Sequence, residues 1–266
     1  MPWIEITSAL CLKPVATYAS TVLYNCIATK KKSPLSPEDF QVTFTSTGTV
    51  DEAWFYQISA AIDSYSPKAM HCALSLLAAV DAHQFDAIFQ ELTQTIKSIT
   101  SILKRMYERC EAGVFYGKVR KYLAGWLNEP EFIANGGLTY TLDGREETLA
   151  LAGGSASQNS LIQLLDIALG IRHRDAYLME MQSYMPRAHK EFLQWLEAEF
   201  SNRAIDYSSA SAEECINSLR TFRRVHLSMV RHYIVSEAEK EGDANPRGTG
   251  GSDAISFLTN LADATK

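Results

Sequence analysis

The sequence predicts an all-α fold, on three observations. Two long segments, 68–109 and 211–236, run almost without a breaker and repeat apolar residues at helical spacing. Prolines and glycines fall where helices start and stop. No internal repeat and no convincing run of strand-like alternation interrupts the pattern. At 266 residues the chain can bury one large core, and it is read as a single helical domain over 1–266.

Each element follows from local chemistry. Pro14 suits a helix start, and the run 15–29 continues from it without a breaker until the lysine and proline cluster of 30–37, which predicts a helix. The stretch 37–51 has a short alternating piece at 41–45 followed by turn residues, and reads as a connection. Helix resumes near Glu52, Pro67 breaks it or opens the next, and a join is expected near Asp81. After Glu111-Ala112-Gly113, the spacing of Phe115, Val119, Tyr122, Leu123 and Trp126 predicts one helical face, and a loop rich in glycine and asparagine follows. Gly170 suits the end of a helix over 161–170, because it adopts positive φ cheaply. Helices are predicted over 186–200 and 211–236. The polar, glycine-rich stretch 240–252 is expected to be mobile, ahead of a last helix at 254–263.

Composition excludes several functional classes. The formal net charge is −6, and the one basic run, Lys30-Lys31-Lys32, is too short to hold a polyanion through counterion release, so nucleic acid is not expected as a partner. Cys11, Cys26, Cys72, Cys110 and Cys215 are odd in number and lack CxxC spacing, which predicts reduced thiols in a cytoplasmic protein. No basic leader and no apolar window of membrane-spanning length is present, so neither secretion nor a membrane span is expected. The 46% of hydrophobic residues allow a large flat ligand to be wrapped without demanding one.

Few residues carry chemistry on their own. In 211–236, Leu219, Phe222, Met229, Val230 and Tyr233 form an apolar stripe, and His226 falls within it. From the pattern alone it reads either as a core histidine satisfied by one hydrogen bond or as a ligand. His71, His83, His173, His189 and His232 form no HExxH-type pair, which gives a protein-built zinc or di-iron centre no support, whereas a haem needs only one axial histidine. Gly153-Gly154-Ser155-Ala156-Ser157 lacks the final glycine of GxSxG, and Gly248-Thr249-Gly250-Gly251 is not GxGxxG. By themselves both read as surface turns.

Several separate motifs, taken together, are specific. They are Tyr18-Ala19-Ser20-Thr21-Val22-Leu23, Glu52-Ala53-Trp54-Phe55-Tyr56-Gln57-Ile58-Ser59, the stretch from Phe115 to Trp126, Ala152-Gly153-Gly154-Ser155-Ala156, Tyr184-Met185-Pro186-Arg187-Ala188-His189, Phe222-Arg223-Arg224-Val225-His226-Leu227, and Gly248-Thr249-Gly250-Gly251-Ser252-Asp253. In order and spacing the chain resembles the indoleamine 2,3-dioxygenase family along nearly its whole length. The resemblance implies the large helical haem-binding domain of the indoleamine/tryptophan dioxygenase type, with haem b as cofactor, and molecular oxygen and L-tryptophan or a related indole as substrates. It implies His226 as the proximal iron ligand, Arg223 as a partner for a haem propionate and Asp166 as a group behind the histidine. Tyr18, Val22, Phe55, Ser59 and Phe115 match the distal pocket, and Arg120 matches the residue that holds the substrate carboxylate, for which a planar guanidinium fork is suited. Ser155 and Ala156 are expected at the haem edge, with Thr249 closing a mobile loop over the site and Ser59, Arg120 and Thr249 acting in catalysis.

The implied activity is oxidative cleavage of the indole C2–C3 bond of L-tryptophan to N-formylkynurenine. A haem oxygenase or peroxygenase acting on a modified tryptophan or other indole is the enzymatic alternative, and a non-catalytic haem-binding sensor or partner subunit is the other. The presence of both Arg120 and the 248–251 loop, which the resemblance implies for substrate binding, argues against the latter, since a haem binder needs neither. The match begins where that family's large domain begins, without the small domain that precedes it in many members. This predicts a homodimer or a partner chain that roofs the site, and Tyr56 and Gln57 are expected to place polar groups beside the distal wall.

Overall fold

In the computed structural model, which describes residues 2–127, 130–142, 144–172, 176–243, 247–250 and 253–265, the chain opens with helix α1 (Pro2–Ala9). A single wide π-helical turn at Ala19–Leu23 follows, then strand β1 (Cys26–Ala28), which pairs antiparallel with β2 (Phe40–Val42) in the register Ile27 opposite Gln41. This corrects two expectations: 15–29 is not one helix, and the alternating piece at 41–45 contributes to a ladder. The segment is rich in β-branched residues, which lose rotamer freedom in a helix, and pairing with 40–42 tips the balance. Asn25 locks the pairing, its side chain donating to Phe44 O at 2.8 Å and accepting from Phe44 N at 2.9 Å.

Helix α2 (Val50–Asp63) is capped by Thr49, whose hydroxyl accepts from Glu52 N at 3.3 Å. Proline in the first turn opens α3 (Ser66–Ala78), and Asp81 caps α4 (Ala82–Lys104) by accepting from Gln84 N at 2.9 Å, so the join expected near Asp81 is present. Phe89, Leu92, Ile96, Ile99 and Leu103 repeat at intervals of three and four along α4 and are buried. Each such side chain contributes about 1.5–3 kcal/mol when fully removed from water.

A short α5 (Ala112–Val114) passes into a second π turn, Phe115–Val119, and then α6 (Arg120–Leu123). Trp126 therefore lies beyond the helix instead of on its face. After α7 (Pro130–Ile133), β3 (Leu138–Leu142) and β4 (Arg145–Leu149) form a hairpin in a region expected to be loop. Its sequence carries the signal, since Asp143-Gly144 after the alternating run Leu138-Thr139-Tyr140-Thr141-Leu142 is a strong short-range hairpin pattern. The chain continues through α8 (Ser160–Ala168), α9 (Ala176–Gln182) and α10 (Arg187–Asn202). Gly170 ends the α8 region at φ +67°, as expected.

Helix α11 (Ala210–Val230) runs into a third π turn, Arg231–Val235, and α12 (Ser236–Glu241), with α13 (Ala254–Ala264) closing the chain. Cys215, Leu219, Phe222, Met229 and Tyr233 form its buried stripe, which packs against that of α4 to make the centre of the core. The architecture is all-α, with two short two-stranded ladders at its margins. No helix among the described residues is long and apolar enough to cross a membrane.

One crossing brings two backbones into contact beside the core. A Cβ on Gly153 would lie 2.0 Å from Leu123 O and 2.5 Å from Gly125 N, while Gly154 N donates to Leu123 O at 3.0 Å and Trp126 N to Leu151 O at 2.7 Å. Both obstructing atoms are backbone, so neither can rotate away. Gly153→Ala is expected to destabilise the fold by about 2 kcal/mol or more, read as a lower midpoint in urea unfolding with an unchanged slope. A midpoint equal to that of the unaltered protein would show that this crossing is loose.

Candidate active site

The three π turns share one consequence. A π turn carries an extra residue, which re-aims the side chains beyond it, and such turns are frequent at functional sites. Here Val22 from the first, Phe115 from the second and Tyr233 and Ile234 from the third all border the same cavity. The cavity encloses about 1740 Å³ of unoccupied space, its open mouth included, and its walls are mainly apolar.

Most residues singled out from sequence converge here. Tyr18, Val22, Phe55, Ser59, Phe115, Ser155, Ala156, Asp166, Arg223, His226 and Thr249 all line the cavity. The Phe55 and Phe115 rings meet at 5.0 Å between centroids, tilted by 53°, and Phe115 meets Tyr233 edge-on at 5.7 Å, which fixes an aromatic wall. Ser59 Oγ donates to Phe55 O at 3.0 Å, so toward the cavity it can only accept.

His226 sits one turn beyond Phe222 in the buried stripe of α11 and faces the cavity. Desolvation alone pushes its pKa down to about 4. The imidazole is therefore neutral at neutral pH, with a lone pair available to a metal. Among the described residues no group of three or more His, Cys, Asp or Glu side chains converges on a point. His173 lies outside the described residues. One neutral imidazole in a roomy, apolar cavity fits a haem, which brings its own four equatorial nitrogens and needs a single axial ligand from the protein.

Arg223 and Asp166 form a buried ion pair between α11 and α8. Arg223 also donates to Thr265 Oγ1 and, at 3.3 Å, to Leu261 O, which ties α13 to the same point. Asp166 thus engages Arg223 beside the histidine. Removing one partner of such a buried pair typically costs about 3–5 kcal/mol.

The described part of the glycine-rich loop, 247–250, is docked onto this site. Thr249 Oγ1 donates to Gly154 O at 2.6 Å, and Gly153 N donates to Thr249 O at 3.2 Å. A Cβ on Gly250 would fall 2.2 Å from Tyr177 Oη. Gly251 and Ser252 of the motif lie outside the described residues.

Arg120 is placed differently from the expectation, for it does not line the cavity. Its guanidinium stacks 5.0 Å from the Tyr116 ring and donates to Arg247 O on the loop, while Nε is buried without a hydrogen-bond partner among the described residues. Tyr116 Oη in turn donates to Asp243 Oδ2 at 2.8 Å. Tyr56 and Gln57 also depart from expectation: Tyr56 Oη donates to Glu52 Oε1 at 2.9 Å and Gln57 Nε2 to Phe40 O at 2.7 Å, and neither borders the cavity. On α2 they lie off the face that carries Phe55 and Ser59. Sequence reasoning missed Asn159, Phe257 and Leu261, which line the cavity, and Asp63 and Tyr177 near it. The spacing of Phe257 and Leu261 on α13 was a readable signal; the isolated polar residues gave none.

The profile of the indoleamine 2,3-dioxygenase family matches residues 1–266. Indoleamine 2,3-dioxygenase of Saccharomyces cerevisiae is 32% identical, over 99% of this chain and 70% of that protein. Indoleamine 2,3-dioxygenase 1 of Rattus norvegicus is 31% identical, over 100% of this chain and 71% of that one. A 6-hydroxytryptophan 2,3-dioxygenase of Fusarium equiseti is 31% identical, over 97% and 70% respectively.

Proposed function

The chain belongs to the indoleamine 2,3-dioxygenase family of haem-dependent dioxygenases, and from that premise we propose that it cleaves the C2–C3 bond of the indole of L-tryptophan. Both atoms of dioxygen enter the product, N-formylkynurenine, so substrate and oxygen together account for every atom and no net reductant is consumed. The observation that carries this reading is His226, a neutral imidazole facing an apolar cavity beside an aromatic wall. When bound, haem b supplies the redox-active iron that overcomes the low reactivity of dioxygen toward the indole ring.

The polypeptide then contributes placement. His226 would supply the protein's nitrogen to a haem iron, and the Arg223–Asp166 pair beside it would place a positive charge for a propionate. Phe55 and Phe115 hold the indole against the aromatic wall, with Tyr18, Val22 and Ser59 closing the pocket around it, and Ser155 and Ala156 would help hold the haem. Thr249 seats the 247–250 loop on Gly154 and keeps water from the reacting atoms. Arg120, held at the loop by a backbone carbonyl, exchanges that contact for the substrate carboxylate.

A second reading, a modified tryptophan as substrate, draws support from the hydroxytryptophan-cleaving relative and from the polar group at Tyr18. A partner chain or second copy that covers the site belongs to the same proposal.

The test is the absorption spectrum of the reduced, haem-loaded protein with oxygen, before and after addition of L-tryptophan. The expected result is a substrate-dependent spectral change and one formylkynurenine per oxygen consumed. A normal haem spectrum that no indole perturbs, with no product, would leave a haem-binding protein and sink the dioxygenase reading.

A further inference from the structure

Three side chains from three separate elements meet at the hydroxyl of Tyr18. Tyr18 Oη donates to Asp63 Oδ2 at 2.6 Å; Asn159 Nδ2 donates to Tyr18 Oη at 2.9 Å and to Asp63 Oδ1 at 2.8 Å. Tyr18 precedes the first π turn, Asp63 ends α2, and Asn159 caps α8, its own Oδ1 accepting from Leu161 N at 2.7 Å. The amide orientation of Asn159 is therefore set: oxygen toward the helix, nitrogen toward the tyrosine. Tyr18 and Asn159 border the cavity, and Asp63 stands behind them.

A phenolic hydroxyl has one proton to give and two lone pairs to receive with. Here the proton is committed to the carboxylate, and one lone pair is taken by the amide. Only one acceptor position is left. Burial raises the pKa of Asp63 to about 6, so the carboxylate is ionised and accepts at neutral pH, which holds the donor direction as described. An unconstrained tyrosine can rotate its proton to suit either a donor or an acceptor on a ligand; this one cannot.

We propose that Asp63 and Asn159 make Tyr18 an acceptor-only group in the indole pocket, so that the pocket favours an indole ring carrying a hydrogen-bond donor, such as a ring hydroxyl, over one that offers only an acceptor there. Asp63 is a positioning residue that acts through Tyr18. The inference rests on the proposed indole chemistry and narrows its substrate class.

The experiment is a titration of the haem-loaded protein at pH 7.5 with L-tryptophan and with its 5- and 6-hydroxy and 5- and 6-fluoro derivatives, following ligand-induced changes in haem absorption. Fluorine approximates the size of hydroxyl but has no proton to donate. The expected result is that, at one of the two positions, the hydroxy ligand binds about tenfold more tightly than its fluoro counterpart, the effect of one additional hydrogen bond to a polarised acceptor. Tyr18→Phe should abolish that ratio; hydroxy and fluoro ligands are compared within the variant, so any loss of affinity common to both cancels, and the intact haem spectrum shows that the fold is kept. Asp63→Asn should lower the ratio, because Tyr18 regains freedom to donate; a purely structural role would weaken all ligands together and leave the ratio alone. Equal affinities at both positions, or a ratio that survives Tyr18→Phe, overturns this inference while the indole reading stands. Failure of every indole to bind, with the haem spectrum intact, overturns both.

Discussion

Replacing His226 with alanine is expected to abolish stoichiometric haem retention, while the helical circular dichroism of the protein persists. A haem held by one axial ligand has no second protein donor to fall back on. The alternatives are poorly placed: His71, His83 and His232 are exposed, with His232 packed on the rings of Tyr107 and Tyr233. His189 is half-buried and its Nδ1 meets Ser160 Oγ at 3.0 Å. His226 alone among the histidines of the described residues faces the cavity. Its low pKa adds to the case, because no proton has to be displaced at neutral pH before the nitrogen binds iron. The measurement is the ratio of haem to protein after gel filtration, for His226→Ala and, as a control, His189→Ala. Free imidazole should partly restore the haem spectrum of the unaltered protein to His226→Ala by occupying the vacated space. A variant that keeps one haem per chain and an unchanged spectrum would move the axial ligand elsewhere.

How far the sequence could be read depended on what kind of information each element uses. Helices α4 and α11 were legible because their burial is periodic, with one face against the core over many turns, and periodicity survives in a linear string. Capping at Asp81 and Gly170 was legible because it is local chemistry. The 15–29 segment is not legible because its fate is decided by ladder partners further along the chain, Cys26 opposite Val42 and Ile27 opposite Gln41, together with the Asn25–Phe44 clamp. No window confined to that segment contains this information. The β3–β4 hairpin differs, since Asp143-Gly144 is a local turn signal in the sequence even within a stretch whose glycine and asparagine content reads as loop.

The candidate site divides along the same line. His226 lies in a readable stripe, but the pattern does not separate a ligand from a core residue; family resemblance favours the ligand, and the structure places His226 at the cavity. The wall residues of the first and second π turns were found only through motifs, because a π turn breaks the 3.6-residue period that would have placed them. Asp63 and Asn159 are 96 residues apart, and nothing local to either predicts that they meet. Resemblance carries residue identities forward but not their arrangement, which is why Arg120 was expected inside the pocket and is found against the loop.

Arg120→Lys is expected to reduce kcat/KM for L-tryptophan by roughly 30- to 1,000-fold, corresponding to about 2–4 kcal/mol for a charged, hydrogen-bonded contact in a dry pocket. Lysine retains the charge but loses the planar fork that pairs with a carboxylate. One arm of the guanidinium donates to Arg247 O, and Nε is buried without a hydrogen-bond partner among the described residues. A carboxylate is a stronger acceptor than a backbone carbonyl, and the exchange would draw the guanidinium inward as the loop stays seated through Thr249 and Gly154. Tryptamine separates this role from a structural one. Lacking the carboxylate, it should react poorly with the unaltered enzyme and be little affected by the substitution. If both substrates lose equally, Arg120 acts by latching the 247–250 loop, and faster proteolytic cleavage of that loop in Arg120→Lys would accompany the loss. An unaltered enzyme that prefers the amine would instead remove the carboxylate from the recognition scheme altogether and leave the aromatic wall of Phe55 and Phe115, with Tyr18, to choose the indole.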